Sequence, residues 1–471
     1  MKNVVIAWRN LWRNRRRTII TSASVFFAVL FALFFRSLQL GSYDRMFRNA
    51  IESYTGYIQV QHQDFWDSKV VDNSFPYDPD IDLTILSDTN VVTTIPRFES
   101  FALASSGPQT KGVLVMGILP EREDYLSRIT GRLVKYRLTP DAIQKIRQDP
   151  AIPEKTKELA RIYRDEGFAN TGRLQLDLGI PDDRAPEIMP LLESYTRFDN
   201  GTIEPGVPGA WTGEGLAEYL GLGIGDTIVL ISQGYHATTA AGKYEIKGIV
   251  KLPLPEFDNK VVYLPLDICQ QMYHADNNLT SLALHIKDHD DDAIQETLER
   301  LGGYLPEGQR LVDWKEMNAV LRSQLEADNY SGMIMIGILY LVIAFGVFGT
   351  VLMMTAERRR EFGVLVAIGM QKFRLAWITT IEMLLIGLLG IAAGSAVAIP
   401  AILYGERHPL VFKGEFAKMW EDYGFEPMMV FQGIDGYFLW QMLIVAMMVL
   451  VATGYPLRKI LGIKVVNALK A

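Results

Sequence analysis

The sequence predicts an α-helical membrane protein with four transmembrane helices plus a large α+β domain inserted between helices 1 and 2. Three observations predict it: four apolar runs of membrane-spanning length, separation of positive from negative charge, and a long polar stretch with β-strand patterns. The mean hydropathy of +0.10 and the charged fraction of 21% suit neither an ordinary soluble protein nor a chain made only of membrane helices. The 471 residues therefore combine an apolar part and a polar part.

Each of the four apolar runs is long enough to cross about 30 Å of hydrocarbon, which takes roughly 18–20 helical residues. We delimit the predicted spans at residues 18–36, 331–355, 376–403 and 437–457. The alternative for the first run is a cleaved signal peptide. No small-residue cleavage site follows it, and a helix-compatible sequence continues beyond Arg36, so a membrane anchor is favoured.

The basic residues lie on one side of these spans. Residues 1–17, the loop 356–375 and the tail 458–471 carry net charges of +6, +3 and +4, so a total charge of −7 leaves −20 for the remainder. By the positive-inside rule these three segments are cytoplasmic, and residues 37–330 and 404–436 are outside. Residues 1–17 also have the Trp and Arg pattern of an amphipathic elbow helix at a membrane surface.

The polar stretch 37–330 is predicted to fold as the α+β domain. Short β-branched runs bounded by Gly, Pro and Asp predict its strands, at residues 56–61, 111–118, 226–232, 244–250, 260–265, 281–288 and 309–314, with a helix at 291–303. Helical patterns continue beyond the first span and resume before the second, where Asp313 and Glu316 have capping-box spacing. We therefore expect both spans to extend from the membrane as stalks.

Residues 133–200 differ from the rest of this domain. They are polar, charged and helix-forming, which predicts an inserted helical subdomain. Two interpretations stay open for it, a dedicated binding element and a solvated, partly mobile excursion.

The sequence lacks the patterns of a reactive centre. It has no G-x-x-x-x-G-K-[ST] phosphate loop and no H-E-x-x-H zinc motif. Three closely spaced glycines at 221–225 precede a predicted strand, whereas a dinucleotide-binding loop follows one. His285 and His289 straddle a strand end, where a metal site is not expected, and the single Cys269 allows no intrachain disulfide. We predict that this chain by itself is not an enzyme and binds no metal or cofactor.

The most informative segment is E-R-R-R-E-F-G-V-L-V-A-I-G at residues 357–369, in the predicted cytoplasmic loop. The segment is amphipathic, because apolar side chains such as Phe362, Leu365 and Ile368 can face the membrane or a partner while the charged ones face protein. A surface helix fixed between two membrane helices would move both of them when a partner displaces it.

This segment and the glycine-containing apolar helix after it resemble the signature of FtsX-like (MacB-like, type VII) ABC transporter permeases. The resemblance covers most of the chain, with matches to the family's elbow helix, periplasmic core domain and closing segment at residues 7–18, 115–127, 211–230, 244–272 and 455–470. The periplasmic matches are nearest the lipoprotein-releasing, LolC/LolE-like branch. That branch mostly lacks an insertion such as 133–200.

The resemblance implies that the loop carries a coupling helix seated on a separate P-loop ATPase subunit, which would bind ATP and Mg²⁺ in place of this chain. The residues implied in ATPase coupling are Glu357, Arg358, Arg359, Arg360, Glu361, Phe362, Gly363, Leu365 and Gly369. Two permeases, either identical or paralogous, would pair over an ATPase dimer. ATP-driven closure would then move the periplasmic domains through the stalks.

The implied function is that of a permease subunit in a bacterial inner membrane, with both termini cytoplasmic, whose first expected task is the extraction of lipoproteins. Two alternatives stay open: a MacB-like exporter of peptides, drugs or toxins, and an FtsX-like signalling subunit that controls periplasmic cell-wall hydrolases. A periplasmic lipoprotein chaperone and membrane lipid would be further partners, and no nucleic acid is expected.

If the acyl chains of a lipoprotein enter between the first two helices, residues in the outer halves of those helices would contact them. The candidates are Leu33, Phe34, Leu38, Met333, Ile334 and Tyr340. The alternative is that these side chains face lipid or pack within the helix bundle.

The third span contains two further features. Gly387, Gly390 and Gly394 are predicted to let neighbouring helices approach closely. Glu382 is an intramembrane carboxylate, a functional candidate by its type. It lies near the cytoplasmic start of the span, where its side chain could reach the interface, so a structural or coupling role is favoured.

Overall fold

The computed structural model describes residues 2–13, 15–66, 68–422 and 427–462. The chain forms two compact units. We call the first the membrane unit, formed by Met1–Arg45, Ser323–Leu410 and Met429–Ala471. We call the second the α+β unit, formed by Met46–Arg322 and Val411–Met428.

Four helices among the described residues are long and apolar enough to cross a membrane. These membrane helices, numbered first to fourth in chain order, are Arg15–Ala50, Ala319–Glu357, Lys372–Arg407 and Gly436–Leu461. The elbow helix Lys2–Arg13 precedes them, burying Ala7 and Leu11 and exposing Trp8 and Trp12. Of the predicted tail 458–471, residues beyond Gly462 lie outside the described part.

Three glycines on the third membrane helix allow it to pack closely on its neighbours. A Cβ at Gly390 would lie 2.6 Å from that of Val25, and one at Gly394 would lie 2.8 Å from the carbonyl oxygen of Phe26, both on the first membrane helix. A Cβ at Gly387 would lie 2.7 Å from Val449 of the fourth. Larger residues at these positions would push the helices apart, because such distances are well inside van der Waals contact.

The α+β unit is built on a nine-stranded sheet. Its strands are β1 Ile58–His62, β2 Val91–Ser106, β3 Gln109–Ile118, β4 Ala210–Gly213, β5 Thr227–Gln233, β6 Thr239–Val250, β7 Val261–Pro265, β8 Ser281–Ile286 and β9 Gln309–Asp313. Their order is β9-β1-β8-β2-β3-β7-β4-β6-β5, with parallel pairing of β3 with β7 and of β4 with β6.

Part of the sheet closes on itself because β2 is long enough to serve two neighbours on the same side. Its first half pairs with β8, and further along Leu103–Ser105 pairs with β5. The strands β2, β3, β7, β4, β6 and β5 therefore form a closed barrel, filled by apolar side chains such as Val113, Val115, Leu230 and Ile246. Closure leaves these strands without an unpaired edge along the barrel.

Short helices and turns connect the strands. The α-helices are Pro79–Leu86, Pro120–Glu123, Glu214–Leu220, Pro255–Asp258, Leu266–Met272, Asp291–Gly302 and Trp314–Met317. The predicted cap before the second membrane helix is present, since the Glu316 N–H donates to Asp313 Oδ1 at 2.9 Å. Within this unit the two stalk ends meet, with the rings of Phe47 and Trp314 5.7 Å apart.

The segment 133–200 contains four helices, Pro140–Gln148, Glu154–Ile162, Thr171–Asp177 and Ala185–Thr196, and a short strand pair, Tyr136–Arg137 with Gly167–Phe168. Its helices bury a core of their own, which includes Leu138, Ile146, Ala160, Leu174, Ile188 and Leu192. We call this segment the helical insertion. The predicted fold class, a helical membrane protein with a large α+β domain between helices 1 and 2, is confirmed.

Lys251, which follows β6, bridges the helical insertion and the barrel. Its Nζ contacts Glu166 of the insertion and lies 2.9 Å from Glu214 Oε2. Burial raises the pKa of the Glu214 carboxyl, and it raises the pKa of nearby Asp258 to about 6. The positive charge of Lys251 therefore offsets part of the free-energy cost of burying the Glu214 and Asp258 carboxylates.

We expect Lys251→Met to destabilise the α+β unit by about 1–2 kcal/mol near pH 7.5 and by less near pH 5. Lys251 is one-third exposed, so solvent screening keeps the loss below that of a fully buried pair. The pKa of Asp258 is higher in the folded state than in the unfolded state, so burying its charged carboxylate lowers the free energy of unfolding. This cost is complete above about pH 6 and decreases as the pH falls and the carboxyl is protonated. Urea unfolding at both pH values measures this, with exposed Lys243→Met as the control. Equal losses at both pH values would contradict the account.

Candidate functional site

The candidate site is the loop between the second and third membrane helices, which contains a short helix, Arg359–Ala367. We call it the loop helix. Arg358 separates it from the second membrane helix. It ends at Ala367, and Gly369 follows with a φ of +105°, which favours glycine. At this break the Met370 N–H donates to the Leu365 carbonyl. The loop helix is thus an element of its own with a defined break at each end.

Arg358 holds the start of the loop helix to the third membrane helix. Its Nη1 lies 2.7 Å from both carboxylate oxygens of Glu382, and the two side chains are 5% and 4% exposed. The guanidinium also lies 5.2 Å from the ring centre of Phe362. Arg358 therefore does not face outward to a partner, as the sequence suggested it could, because its charge is neutralised by buried Glu382. For Glu382 the same ion pair fits the structural role that the sequence favoured.

The inner face of the loop helix is apolar and buried. Phe362 is 1% exposed and packs with Leu375, Ala376 and Ile460 at the cytoplasmic ends of the third and fourth membrane helices. Gly363 is also buried, and Leu365 is partly buried against the same cluster. Phe362 and Gly363 are therefore not available for direct contact with a partner, and their role in ATPase coupling stays a prediction. They attach the loop helix to the rest of the membrane unit.

The outer face presents two cations and a set of apolar side chains. Arg359 and Arg360 are exposed, and so are Ile368 at 79% and Phe373 at 72%. Phe373 was missed because it follows the 357–369 motif in the predicted loop 356–375, whereas the structure places it in the first turn of the third membrane helix, Lys372–Arg407. We call Arg359, Arg360, Val364, Ile368 and Phe373 the outer face.

The remaining charged residues flank this face. Glu361 is half exposed, with Oε2 3.6 Å from Arg13 of the elbow helix and 3.4 Å from Arg358. Glu357 and Gly369 are exposed. The elbow helix, the loop helix and the third membrane helix are therefore joined by one chain of ion pairs.

Residues 333–465, which contain this loop and the helices around it, match the family described as FtsX-like permease, C-terminal. Over these residues the chain is similar to FtsX-like permeases. The chain is 24% identical over 225 residues to the lipoprotein-releasing system transmembrane protein LolC of Xylella fastidiosa (strain 9a5c), a match covering 46% of this chain and 53% of LolC. The chain thus spans about half the length of the curated relatives it matches.

Two solved structures are also similar to this chain. The extracellular domain of the ABC-type transporter YknZ from Gram-positive bacteria aligns at 10% identity with a TM-score of 0.29, covering 55% of this chain and all of that domain. The periplasmic region of MacB from Actinobacillus actinomycetemcomitans aligns at 9% identity with a TM-score of 0.30, covering 58% of this chain and 96% of that region.

The candidate substrate residues fall into two groups. Leu33 is fully buried in the core of the membrane unit, and Phe34 packs 4.8 Å from the ring of Phe431. Leu38 and Tyr340 are partly buried against the same core. Of these candidates, only Met333 and Ile334 are exposed, at 43% and 66%, and both lie on the second membrane helix. Leu33 therefore packs within the helix bundle, the alternative that the sequence left open, because its side chain is enclosed by the membrane unit.

A polar cluster missed by sequence reasoning joins the first and second membrane helices. Arg36 Nη1 donates to Gln39 Oε1 at 2.8 Å and to Asn329 Oδ1 at 2.9 Å. Gly332 lies directly against Gln39, so a side chain there would displace the cluster. In the sequence, Arg36 marks the end of the first span, and an arginine at that place indicates a polar partner nearby.

His285 and His289 lie against the rings of different tyrosines. The ring of His285 lies 6.1 Å from Tyr125, and that of His289 lies 5.0 Å from Tyr57. Across the described residues, no group of three or more His, Cys, Asp or Glu side chains is placed to hold a metal ion.

Proposed function

We propose that this permease couples ATP hydrolysis in a separate P-loop ATPase subunit to mechanical work outside the membrane. The observation that carries the proposal is the loop helix. Its inner face is fixed to the third and fourth membrane helices through Arg358 and Phe362, while its outer face is exposed. A force applied to that outer face would reach the membrane helices with little loss, because the buried side chains are close-packed.

The outer face is suited to a protein partner with acidic groups around an apolar pocket. Arg359 and Arg360 can form charge-assisted hydrogen bonds with carboxylates, and Ile368 and Phe373 can fill a pocket between them. ATP and Mg²⁺ would bind to that partner and not to this chain. The basic segments at both termini and in the loop support a cytoplasmic location for this face.

We infer that two permeases pair in the assembly. The outer half of the second membrane helix supports this, because a continuous set of apolar side chains is exposed there: Ile334, Met335, Ile338, Leu341, Val342 and Phe345. Lipid would cover part of this surface, and a second copy or a paralogue would cover the rest.

The substrate we propose is a lipoprotein held in the outer leaflet of a bacterial inner membrane, which the α+β unit, placed in the periplasm, would help to release. The support is the relative named for lipoprotein release, together with Met333 and Ile334, which are exposed apolar side chains on the second membrane helix. A periplasmic chaperone would then accept the released lipoprotein.

Depletion of the permease tests this substrate. We expect lipoproteins destined for the outer membrane to accumulate in the inner membrane, as measured by fractionation, and re-expression of the wild-type chain should restore sorting. Normal sorting after depletion would reject lipoprotein release. Accumulation of a peptide, drug or toxin in the cell would then favour the exporter, and loss of cell-wall hydrolase activity would favour the signalling subunit.

A further inference from the structure

The segment between the third and fourth membrane helices forms a hairpin. Strand Leu410–Val411 pairs with Met428–Met429, and the Phe412 N–H donates to the Pro427 carbonyl at 2.8 Å. An eight-residue helix, Glu415–Asp422, follows the first strand. We call residues 410–429 the aromatic hairpin, and its residues 423–426 lie outside the described part.

Three aromatic rings cluster on this hairpin. The ring of Phe412 lies 4.8 Å from Phe416 and 5.0 Å from Trp420, and Phe416 and Trp420 are 6.2 Å apart. Phe416 is 48% exposed and Met419 is 43% exposed, whereas Ala417 is fully buried. The helix therefore has one packed side and one open side that is aromatic and apolar, which is costly to leave in water.

The hairpin is attached to the helical insertion. The Gly414 N–H donates to the Tyr163 hydroxyl at 2.8 Å, in a buried position. Gly414 has a φ of +69°, and a Cβ at this residue would lie 3.9 Å from Leu159. Two residues of the insertion therefore fix the turn from which the aromatic helix begins.

The chain itself limits what can cover the open side. The third membrane helix ends at Arg407 and the fourth begins at Gly436. Phe416 follows Arg407 by nine residues, a length that reaches at most about 30 Å when fully extended. The aromatic cluster thus stays within about 30 Å of the end of the third membrane helix. Trp and Phe on the apolar side of a short amphipathic helix are suited to the lipid headgroup region.

We propose that the aromatic hairpin inserts Phe416, Met419 and Trp420 into the outer leaflet and thereby ties the helical insertion to the membrane surface. Residues 410–429 carry two lysines and four acidic residues, a net charge of −2. The lipid contact is therefore apolar, and it does not depend on anionic headgroups or on salt. This assigns the insertion a position at the lipid surface, independently of ATPase coupling.

A depth measurement on the full chain tests the contact. We choose Met419→Cys carrying a nitroxide, in nanodiscs of phosphatidylcholine, with Leu83→Cys as the matched control. Leu83 is 65% exposed on the helix Pro79–Leu86, and Cys269 is fully buried, so labelled wild-type protein supplies the blank. We expect a several-fold higher ratio of lipid-phase to water-phase quencher collisions at 419 than at 83. Equal ratios would overturn the proposal.

Three further measurements distinguish insertion into lipid from other ways of covering the open side of the hairpin helix. Replacing half of the phosphatidylcholine by phosphatidylglycerol should leave the depth at 419 unchanged, and a depth that requires anionic lipid would overturn the apolar contact. Dipolar broadening between labels at 419, with low access to both quenchers, would show instead that a second copy covers this face. Phe416→Ser with Met419 labelled should move the label toward water, and no shift would also count against lipid insertion.

Discussion

Arg358→Ala should destabilise the membrane unit by about 3–5 kcal/mol, one of the two largest effects expected in this protein. The substitution leaves the Glu382 carboxylate, 4% exposed, without the guanidinium that now lies 2.7 Å from both of its oxygens. It also removes the cation above the Phe362 ring. Thermal unfolding in detergent and the yield of folded protein measure the loss.

Two comparisons separate the ion pair from a general effect of losing an arginine. Arg359→Ala removes an exposed neighbour and should change stability by less than about 0.5 kcal/mol. Arg358→Met with Glu382→Leu removes both charges and keeps the volume, so it should recover most of the stability lost in Arg358→Ala. A double variant as unstable as the single one would contradict this explanation, and so would a fully stable Arg358→Ala.

The sequence predicted most strands of the α+β unit to within a few residues. The runs at 111–118, 260–265 and 281–288 correspond to β3, β7 and β8. These strands have uninterrupted apolar residues between clear turn signals, so their pattern depends little on the rest of the fold. Parallel pairing of β3 with β7 and barrel closure did not follow from the sequence, because they depend on contacts between strands that are distant along the chain.

The longest strand, β2, was missed although sixteen residues belong to it. Its middle contains Arg97 and Glu99, which are typical of exposed loops. In the fold both are buried, because Arg97 forms an ion pair with Glu123 at 2.6 Å and the Tyr54 hydroxyl donates to Glu99 at 2.7 Å. These partners are far from β2 in sequence, so no local pattern identifies the strand.

The same limit applies to the candidate site. The motif located the loop helix, and Gly369 at its end has the positive φ expected of a helix terminator. The motif could not separate adjacent Arg358, which is buried on Glu382, from exposed Arg359. That distinction depends on the break between Glu357 and Arg359, which turns one arginine inward and leaves the next two outward.

This division of roles makes Arg359→Glu with Arg360→Glu the sharpest test of ATPase coupling. Reversing two exposed cations should weaken ATPase co-purification by at least about tenfold, because each new carboxylate would face the acidic groups that we propose for the partner. The matched control is Arg15→Glu with Arg16→Glu, which makes the same charge change at exposed arginines outside the loop helix. That control should retain the ATPase.

The docking variant should also melt at the wild-type temperature, because Arg359 and Arg360 are exposed and bury no charge. Arg358→Ala has the opposite signature, since it loses stability first and the ATPase only as a consequence. If the variant with both substitutions co-purifies with the ATPase as the wild type does, the outer face is not the docking surface. A co-purification loss of equal size in the Arg15 and Arg16 control would instead attribute the effect to net charge on that side of the membrane.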